Sequence, residues 1–393
     1  MAERSRVFTL HVTVWLMIMQ RLSGNGGTLA AAVAELVNGN GWDALEPCKR
    51  VREHSISIST GGFSQARMRI PVEAARRVSQ HTFGQLYGIL RKEDQLRHRL
   101  FLLDGSSIEL AHTKEICKEY GLAKNQHGES HWPVMYGPHA TGEQKLGEKL
   151  MAALPPSAVV IADRNFGIFS VIWQAAQLGH DVVIRLTEAR AGKMQSDLKT
   201  GSDERVVWEP TRHDRLSNQD LPEGARLEGR LLVVKGEIGT EPLYLFTTLE
   251  DPAATIAGLY QQRWLVETDL RSLKEQVKLH SISAKTPQMA ASELLLAVAA
   301  YNLIRAVMGE AAGQIGADPR RLSFSRSQAV FWAFTRAVSR RCSAEKFEHH
   351  WKLLLQSLSQ CKLPNRKRPS APREIWGKRS GFPLRKTRTA EEN

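Results

Sequence analysis

Apolar and polar positions along this chain change texture three times. Residues 7–19 are mostly apolar around Trp15, residues 24–27 are a glycine-rich break, and residues 28–37 are alanine-rich with helical spacing. Pro71 marks a further helix start, and residues 64–90 set Arg67, Arg69, Arg76 and Arg77 among apolar positions. Residues 1 to about 95 therefore predict a helical region with a basic face. From Leu100 onward the pattern becomes short apolar runs, each ended by an acid: Leu100-Phe101-Leu102-Leu103 before Asp104-Gly105, and Ala158-Val159-Val160-Ile161-Ala162 before Asp163. The first predicts a strand with a paired strand over 107–110. The second predicts a strand, a helix over 168–178 ended by Gly179, and another strand over 182–186, which together make an α/β core with parallel crossovers. Between about 187 and 251 strand-like pieces at 205–208, 230–234 and 243–248 predict a β-rich insertion. One long helix is expected over 253–278, another over 290–308, and more around 331–334 and 347–355 before a tail. No repeat of solenoid period is present.

Charge adds a partner to this outline. Lys and Arg number 54 against 41 Asp and Glu, a net charge of +13 that favours an anionic partner such as nucleic acid. The tail contributes, with ten Lys and Arg against three Glu from Cys361 to Asn393. A hydrophobic share of 42% is globular, and no run approaches the ~18 uninterrupted apolar residues of a membrane span, so no membrane association is expected. The four cysteines are far apart and form no C-x-x-C pair, which fits a reducing, cytoplasmic setting. Arg4 and Arg6 before the apolar stretch superficially resemble a secretory leader, but His11 interrupts it and Gln20-Arg21 closes it. A buried amphipathic helix is expected instead.

The candidate chemistry lies on the helix after the insertion. On an uninterrupted α-helix Tyr260, Arg263, Glu267 and Lys274 fall within a sector of about 60°. A carboxylate in such a stripe can hold a divalent ion while the cations reach phosphate oxygens and the phenol meets a base or phosphate. The same spacing also suits a solvated face with Glu267 paired to Arg263 at i, i+4. Asp104 and Asp163 weigh against that blander reading. A lone strand-end Asp is usually a turn former or helix cap, yet the carboxyl ends of strands are where ligands sit in open α/β sheets. Two such acids with a third from a facing helix make an all-oxygen site suited to Mg²⁺ or Mn²⁺. Two ions ~4 Å apart would serve an in-line phosphodiester displacement. His127, His131 and His139 lie among Gly128, Pro133 and Pro138, which spoil a zinc geometry, and Gly142 to Gly147 lacks the lysine of a phosphate loop because Glu148 stands there.

Leu103-Asp104-Gly105-Ser106-Ser107, Ala162-Asp163-Arg164-Asn165-Phe166, and Tyr260-x-x-Arg263-Trp264-x-x-Glu267 with Lys274 seven further on resemble the three catalytic motifs of DDE transposases. They are most similar to bacterial insertion-sequence transposases of the insertion-sequence-four family with its Y-R-E-K signature. The resemblance implies a ribonuclease H-like catalytic core, interrupted by a β-rich insertion over about 187–251 and flanked by helical domains. It divides the chain into a helical DNA-binding domain over 1–95, the catalytic domain over 96–315 and a helical region with a basic tail over 316–393. It further implies that Asp104, Asp163 and Glu267 bind two Mg²⁺ or Mn²⁺ ions, that Tyr260, Arg263 and Lys274 hold the transposon-end strand, and that Trp264 packs nearby. The partners implied are double-stranded DNA, as inverted-repeat ends and as target, and a second copy of the chain in a synaptic homodimer. Relatives stabilise a flipped base with aromatic residues of this region during hairpin formation, which makes Trp208 a weak candidate. A non-catalytic DNA-binding descendant and a metal nuclease without strand transfer remain as alternatives.

Overall fold

A computed structural model describes residues 7–364, apart from 24–26, 40–49, 51–52, 54, 94–97, 107, 121–123, 126–127, 130–142, 236–240, 281 and 339–341. The three histidines of the discarded zinc cluster and nearly all of the basic tail lie outside the described residues.

Among the described residues the chain opens with the helices α1 (Leu10–Leu22), α2 (Leu29–Val37), α3 (Gly61–Met68) and α4 (Val72–Glu93). Thr9 and Thr28 cap the first two by accepting hydrogen bonds from the Val12 and Ala31 amides, satisfying donors the first helical turn cannot. Residues 10–22 form the buried amphipathic helix the pattern predicts, with Val12, Leu16, Met17 and Leu22 inside. The basic face is smaller than expected. Arg67 is 2% exposed, and Arg76 and Arg77 both lie against Glu73.

Next come β1 (Arg99–Leu103), α5 (Lys114–Tyr120), a small hairpin of β2 (Lys124–Asn125) and β3 (Gly128–Glu129), α6 (Glu143–Met151), β4 (Ala158–Ala162), α7 (Phe169–Gln177), β5 (Asp181–Leu186), α8 (Glu188–Met194), β6 (Asp203–Trp208), α9 (Arg212–Ser217), β7 (Leu227–Val234) and β8 (Leu243–Thr247). One six-stranded sheet runs in the order β1-β4-β5-β8-β7-β6. Strands β1, β4 and β5 are parallel, and the remaining pairings are antiparallel. Of the paired strand expected over 107–110, residue 107 lies outside the described residues, Glu109 forms an isolated β-bridge, and Ile108 and Leu110 pack into the helical core. The β-rich segment is not a separate layer, since its three strands β6, β7 and β8 extend the sheet of β1, β4 and β5 edge to edge. Two short helices also interrupt it. They escape a search for apolar periodicity because caps specify them: Thr187 caps α8, and Thr211 forms a reciprocal capping box with Asp214 on α9.

Sheet alternation separates two cores. Val160, Val182, Ile184, Leu231 and Phe246 face α7 and α6, with Phe169, Ile172 and Met151. Val159, Ile161, Val183, Leu232 and Leu245 face the other way, onto Ile256, Leu259 and Tyr260. Trp208 is 5% exposed and packs edge-on against Phe169 and Phe246, so it fills the first core and offers no face to a base.

The long helix expected over 253–278 is broken in three: α10 (Ala253–Gln261), α11 (Trp264–Arg271) and a π-helical turn over Ser272–Gln276. The amides of Gln262 and Arg263 bond three residues back, to the Leu259 and Tyr260 carbonyls, which tightens the chain and starts α11 afresh. Then follow α12 (Pro287–Gln314), a 3₁₀ turn at Pro319–Arg321, α13 (Phe324–Ala337) and α14 (Ala344–Ser359). Thr286 and Pro287 begin α12 as cap and first residue. By length and composition α12 could cross a membrane, but most of its apolar stretch is buried inside the fold. It is apolar on every side because α1, α4, α13 and α14 surround it. Glu293 within it is 1% exposed and meets Arg67 from α3 and Arg21 from α1, the latter at 3.6 Å.

Candidate active site

Parallel pairing sets the site. Leu103 of β1 lies in register with Ala162 of β4, and Ala162 with Ile184 of β5. The next residues are Asp104, Asp163 and Arg185, so the three occupy one row across three neighbouring strands, spaced by the ~4.8 Å of a sheet. Alternation decides which way they face. Leu100-Leu102-Asp104, Val159-Ile161-Asp163 and Val183-Arg185 are i, i+2 series, and their apolar members all belong to the core beneath α10. The helix α10, which carries Tyr260 in its last turn, therefore covers the row, and α11 lies against β1.

Local hydrogen bonds hold the two acids. The Gly105 amide donates to Asp104 Oδ1 at 2.9 Å, and the Asn165 amide to Asp163 Oδ1 at 2.9 Å. A third acid joins the loops: Glu143, at the start of α6, accepts from Asn165 Nδ2 at 2.7 Å and stands against Gly105. A β-carbon on residue 105 would fall 2.3 Å from Glu143 Oε1, so a larger residue there would displace the Glu143 carboxylate. Gly167 works similarly, since its β-carbon would sit 2.5 Å from the Arg185 carbonyl oxygen, where the loop after Asp163 crosses β5.

Electrostatics tie the row to the helices. Burial pushes the Asp104 carboxyl above its ordinary range; the Gly105 amide and Arg263 pull it back, while Asp163 and Glu267 push it further up. Burial also raises the Tyr260 phenol, against Arg263 and Arg185, so it remains a hydrogen-bond donor at neutral pH. Burial works against the Arg263 charge, but Glu267, Tyr260 and Asp104 together hold its pKa above the usual value. Arg263 Nη2 donates to Glu267 Oε1 at 2.7 Å, the i, i+4 pair the spacing allows.

Of the sequence-predicted residues, Asp104, Asp163, Tyr260, Arg263 and Glu267 are thus within electrostatic reach of one another. Trp264 stands beside them, 57% exposed. Lys274 sits on the π turn that continues from α11, and among the described residues its ammonium has no ion pair. The single helix expected to carry this stripe is interrupted at 262–263 and by a π turn, so Lys274 departs from an uninterrupted 100° series. Two residues of the site were missed, Arg185 and Glu143. Arg185 had a legible signal, a charge at the i+2 position from a core valine in an otherwise apolar strand.

Among the described residues, no three acidic, histidine or cysteine side chains stand close enough as placed to hold a metal ion. Glu267 is engaged by Arg263, so the trio is not assembled. The donor chemistry nonetheless suits a hard cation. Asp104 and Asp163 are carboxylates at the ends of adjacent strands, and the burial and the lesser repulsion that raise Asp104 are what such an ion would offset.

Residues 95–303 match the family model of the transposase DDE domain. A comparison with curated proteins finds no match.

Proposed function

The chain belongs to the transposase DDE domain family of DNA-transposition enzymes, and from that premise we propose that it cleaves at the inverted-repeat ends of an insertion sequence and joins the freed 3′-hydroxyls to target DNA. The observation that carries this reading is the register of β1 and β4, which sets Asp104 beside Asp163 under the helices bearing Arg263 and Glu267. In this reading the sheet is a ribonuclease H-like core, and the Y-R-E-K spacing places the protein with the insertion-sequence-four transposases. Asp104, Asp163 and Glu267 would hold two Mg²⁺ or Mn²⁺ ions, with Glu267 released from Arg263. Bound there, the ions supply Lewis-acid activation of the attacking hydroxyl and charge relief at the leaving oxygen.

The chain's own groups do the positioning. Arg263, freed by Glu267, offers a planar fork to a phosphate of the transposon-end strand. The protonated Tyr260 phenol donates beside it, exposed Trp264 offers a ring to an unstacked base, and Lys274 reaches phosphate further along. Residues 1–95 recognise the ends, the region over 316–393 adds phosphate contacts, and two copies of the protein pair two ends in a synaptic complex in the bacterial cytoplasm.

Incubating full-length protein with a labelled inverted-repeat duplex, target plasmid and Mg²⁺ tests the proposal. Cleaved and joined products are expected. Binding without any cut would replace this reading with a non-catalytic DNA-binding protein, and cutting without joining would replace it with a nuclease. Arg185 supplies a second test. It faces the same row and has no ion pair among the described residues, so a DNA phosphate is the partner it lacks. Arg185→Ala is expected to lower cleavage by roughly 10² and to reduce the salt dependence of end binding by about one contact. An unchanged rate and salt slope would remove Arg185 from the site.

A further inference from the structure

α11 carries Glu267 on one side, yet none of its eight residues is fully buried. An amphipathic helix is normally held by an apolar stripe, and this one lacks a buried stripe to fix its roll. What holds its back is ionic. Asp269 follows Glu267 by two residues, which places it about 200° round the helix. Its carboxylate receives Arg320 in a two-pronged pair, Nη1 to Oδ1 at 2.5 Å and Nη2 to Oδ2 at 2.8 Å. Arg305 Nη2 adds a third bond to Oδ1 at 2.7 Å.

Each arginine is itself braced. Arg305 Nε donates to the Tyr301 hydroxyl at 2.9 Å, and its guanidinium lies over the Tyr301 and Phe324 rings, 5.4 and 5.2 Å from their centroids. Those rings stack on each other at 5.2 Å. The Arg320 amide donates to Asp318 Oδ1 at 2.7 Å, fixing the 3₁₀ turn that presents the side chain. A two-pronged, charge-assisted pair restrains direction as well as distance, which a single apolar contact does not.

We propose that Asp269, gripped by Arg305 of α12 and Arg320 of the turn before α13, is the positioning residue for Glu267, and that the clamp sets the roll of α11 over the Asp104–Asp163 pair. The inference rests on the role of Glu267 in the reading above. Both arginines lie beyond residue 303, where the matched segment ends, so residues outside that segment brace the site from behind. Asp269 touches neither substrate nor ion. Its effect passes through the orientation of Glu267.

The test is a double-mutant cycle on full-length protein bound to end duplex, reading Mn²⁺ binding by electron paramagnetic resonance and cleavage against Mg²⁺ concentration. Asp269→Asn is expected to raise the half-saturating metal concentration by 10-fold or more, the scale of lost support behind a metal ligand, with end-DNA affinity unchanged. Arg320→Lys keeps the charge but loses the fork, and its shift is expected to be smaller in the same direction. In a Glu267→Gln background Asp269→Asn should add nothing, because the residue it positions is gone. Additive losses, or unchanged metal dependence in both single variants, would overturn the clamp. If Glu267→Gln alone binds Mn²⁺ and cleaves like the wild type, the metal-site reading itself fails and takes the clamp with it.

Discussion

Asp104→Asn and Asp163→Asn are each expected to abolish end cleavage and joining, by on the order of 10³-fold or more, while leaving the fold and end binding in place. The two acids share a row, and asparagine keeps the acceptor that meets the Gly105 or Asn165 amide. Only the charge is lost. For Asp104 a second consequence follows, and its sign can be worked out. Its folded-state pKa is raised, chiefly by burial, so the ionised form is disfavoured by folding. Where the group is ionised in both states it costs stability, and the cost fades as pH falls through its raised folded value toward the ordinary carboxylate range. Metal-free Asp104→Asn should accordingly melt no lower than the wild type at pH 7. Added Mg²⁺ should raise the melting temperature of the wild type and not that of the variant, since only a state that binds the ion is stabilised by it. Thermal melts with and without Mg²⁺, beside the cleavage assay, decide the matter. An active Asp104→Asn, or a Mg²⁺ stabilisation equal to that of the wild type, would remove Asp104 from metal binding.

Much of this site can be read from the chain because strands announce themselves and end abruptly. Leu100 to Leu103 and Ala158 to Ala162 are apolar runs that stop at an acid, and their parallel pairing follows from the helix between β4 and β5 and the long connection before β4. Register was not legible, since nothing local says which residue of β1 meets which of β4. That is also why Arg185 went unnoticed: it joins the site only once β5 is placed beside β4. Helical breaks were equally opaque. The stretch over 253–278 has no Gly or Pro at 262–263 to mark the break, and the π turn depends on anchoring Val277 and Leu279 in the core under α12. Arg67 shows the same limit from the other side. A charge among apolar positions suggests a basic face until a buried carboxylate more than two hundred residues away claims it.

That carboxylate supports the largest stability effect expected of any single substitution. Glu293 sits inside α12 and accepts from the Ser283 amide at 3.0 Å and from Ser283 Oγ at 3.3 Å, besides facing Arg21 and Arg67. Arg21 also donates to the Lys278 carbonyl at 2.6 Å, and Arg67 to Ser283 Oγ at 3.0 Å, so the cluster joins α1, α3 and α12 to the chain just past the π turn. Two guanidinium groups share one carboxylate here. Burial pulls both down to about 10, with Arg21 also depressing Arg67, and Arg67 Nε has no partner. The cluster is therefore already short of negative charge. Glu293→Ala would leave two desolvated cations facing each other, and breaking a buried pair in this way costs about 3–5 kcal/mol. A fall of roughly 5 °C in melting temperature is expected. The expectation has an internal control, because the desolvation penalty belongs to the charges rather than to the shape. Replacing all three residues together, Arg21→Met, Arg67→Met and Glu293→Leu, should recover most of the loss, since apolar side chains of similar volume need no compensation. Denaturant melts of the single and triple variants measure both. A Glu293→Ala protein within about 1 kcal/mol of the wild type, or a triple variant no better than the single one, would show that the cluster does not tie the N-terminal helices to α12 through its charges.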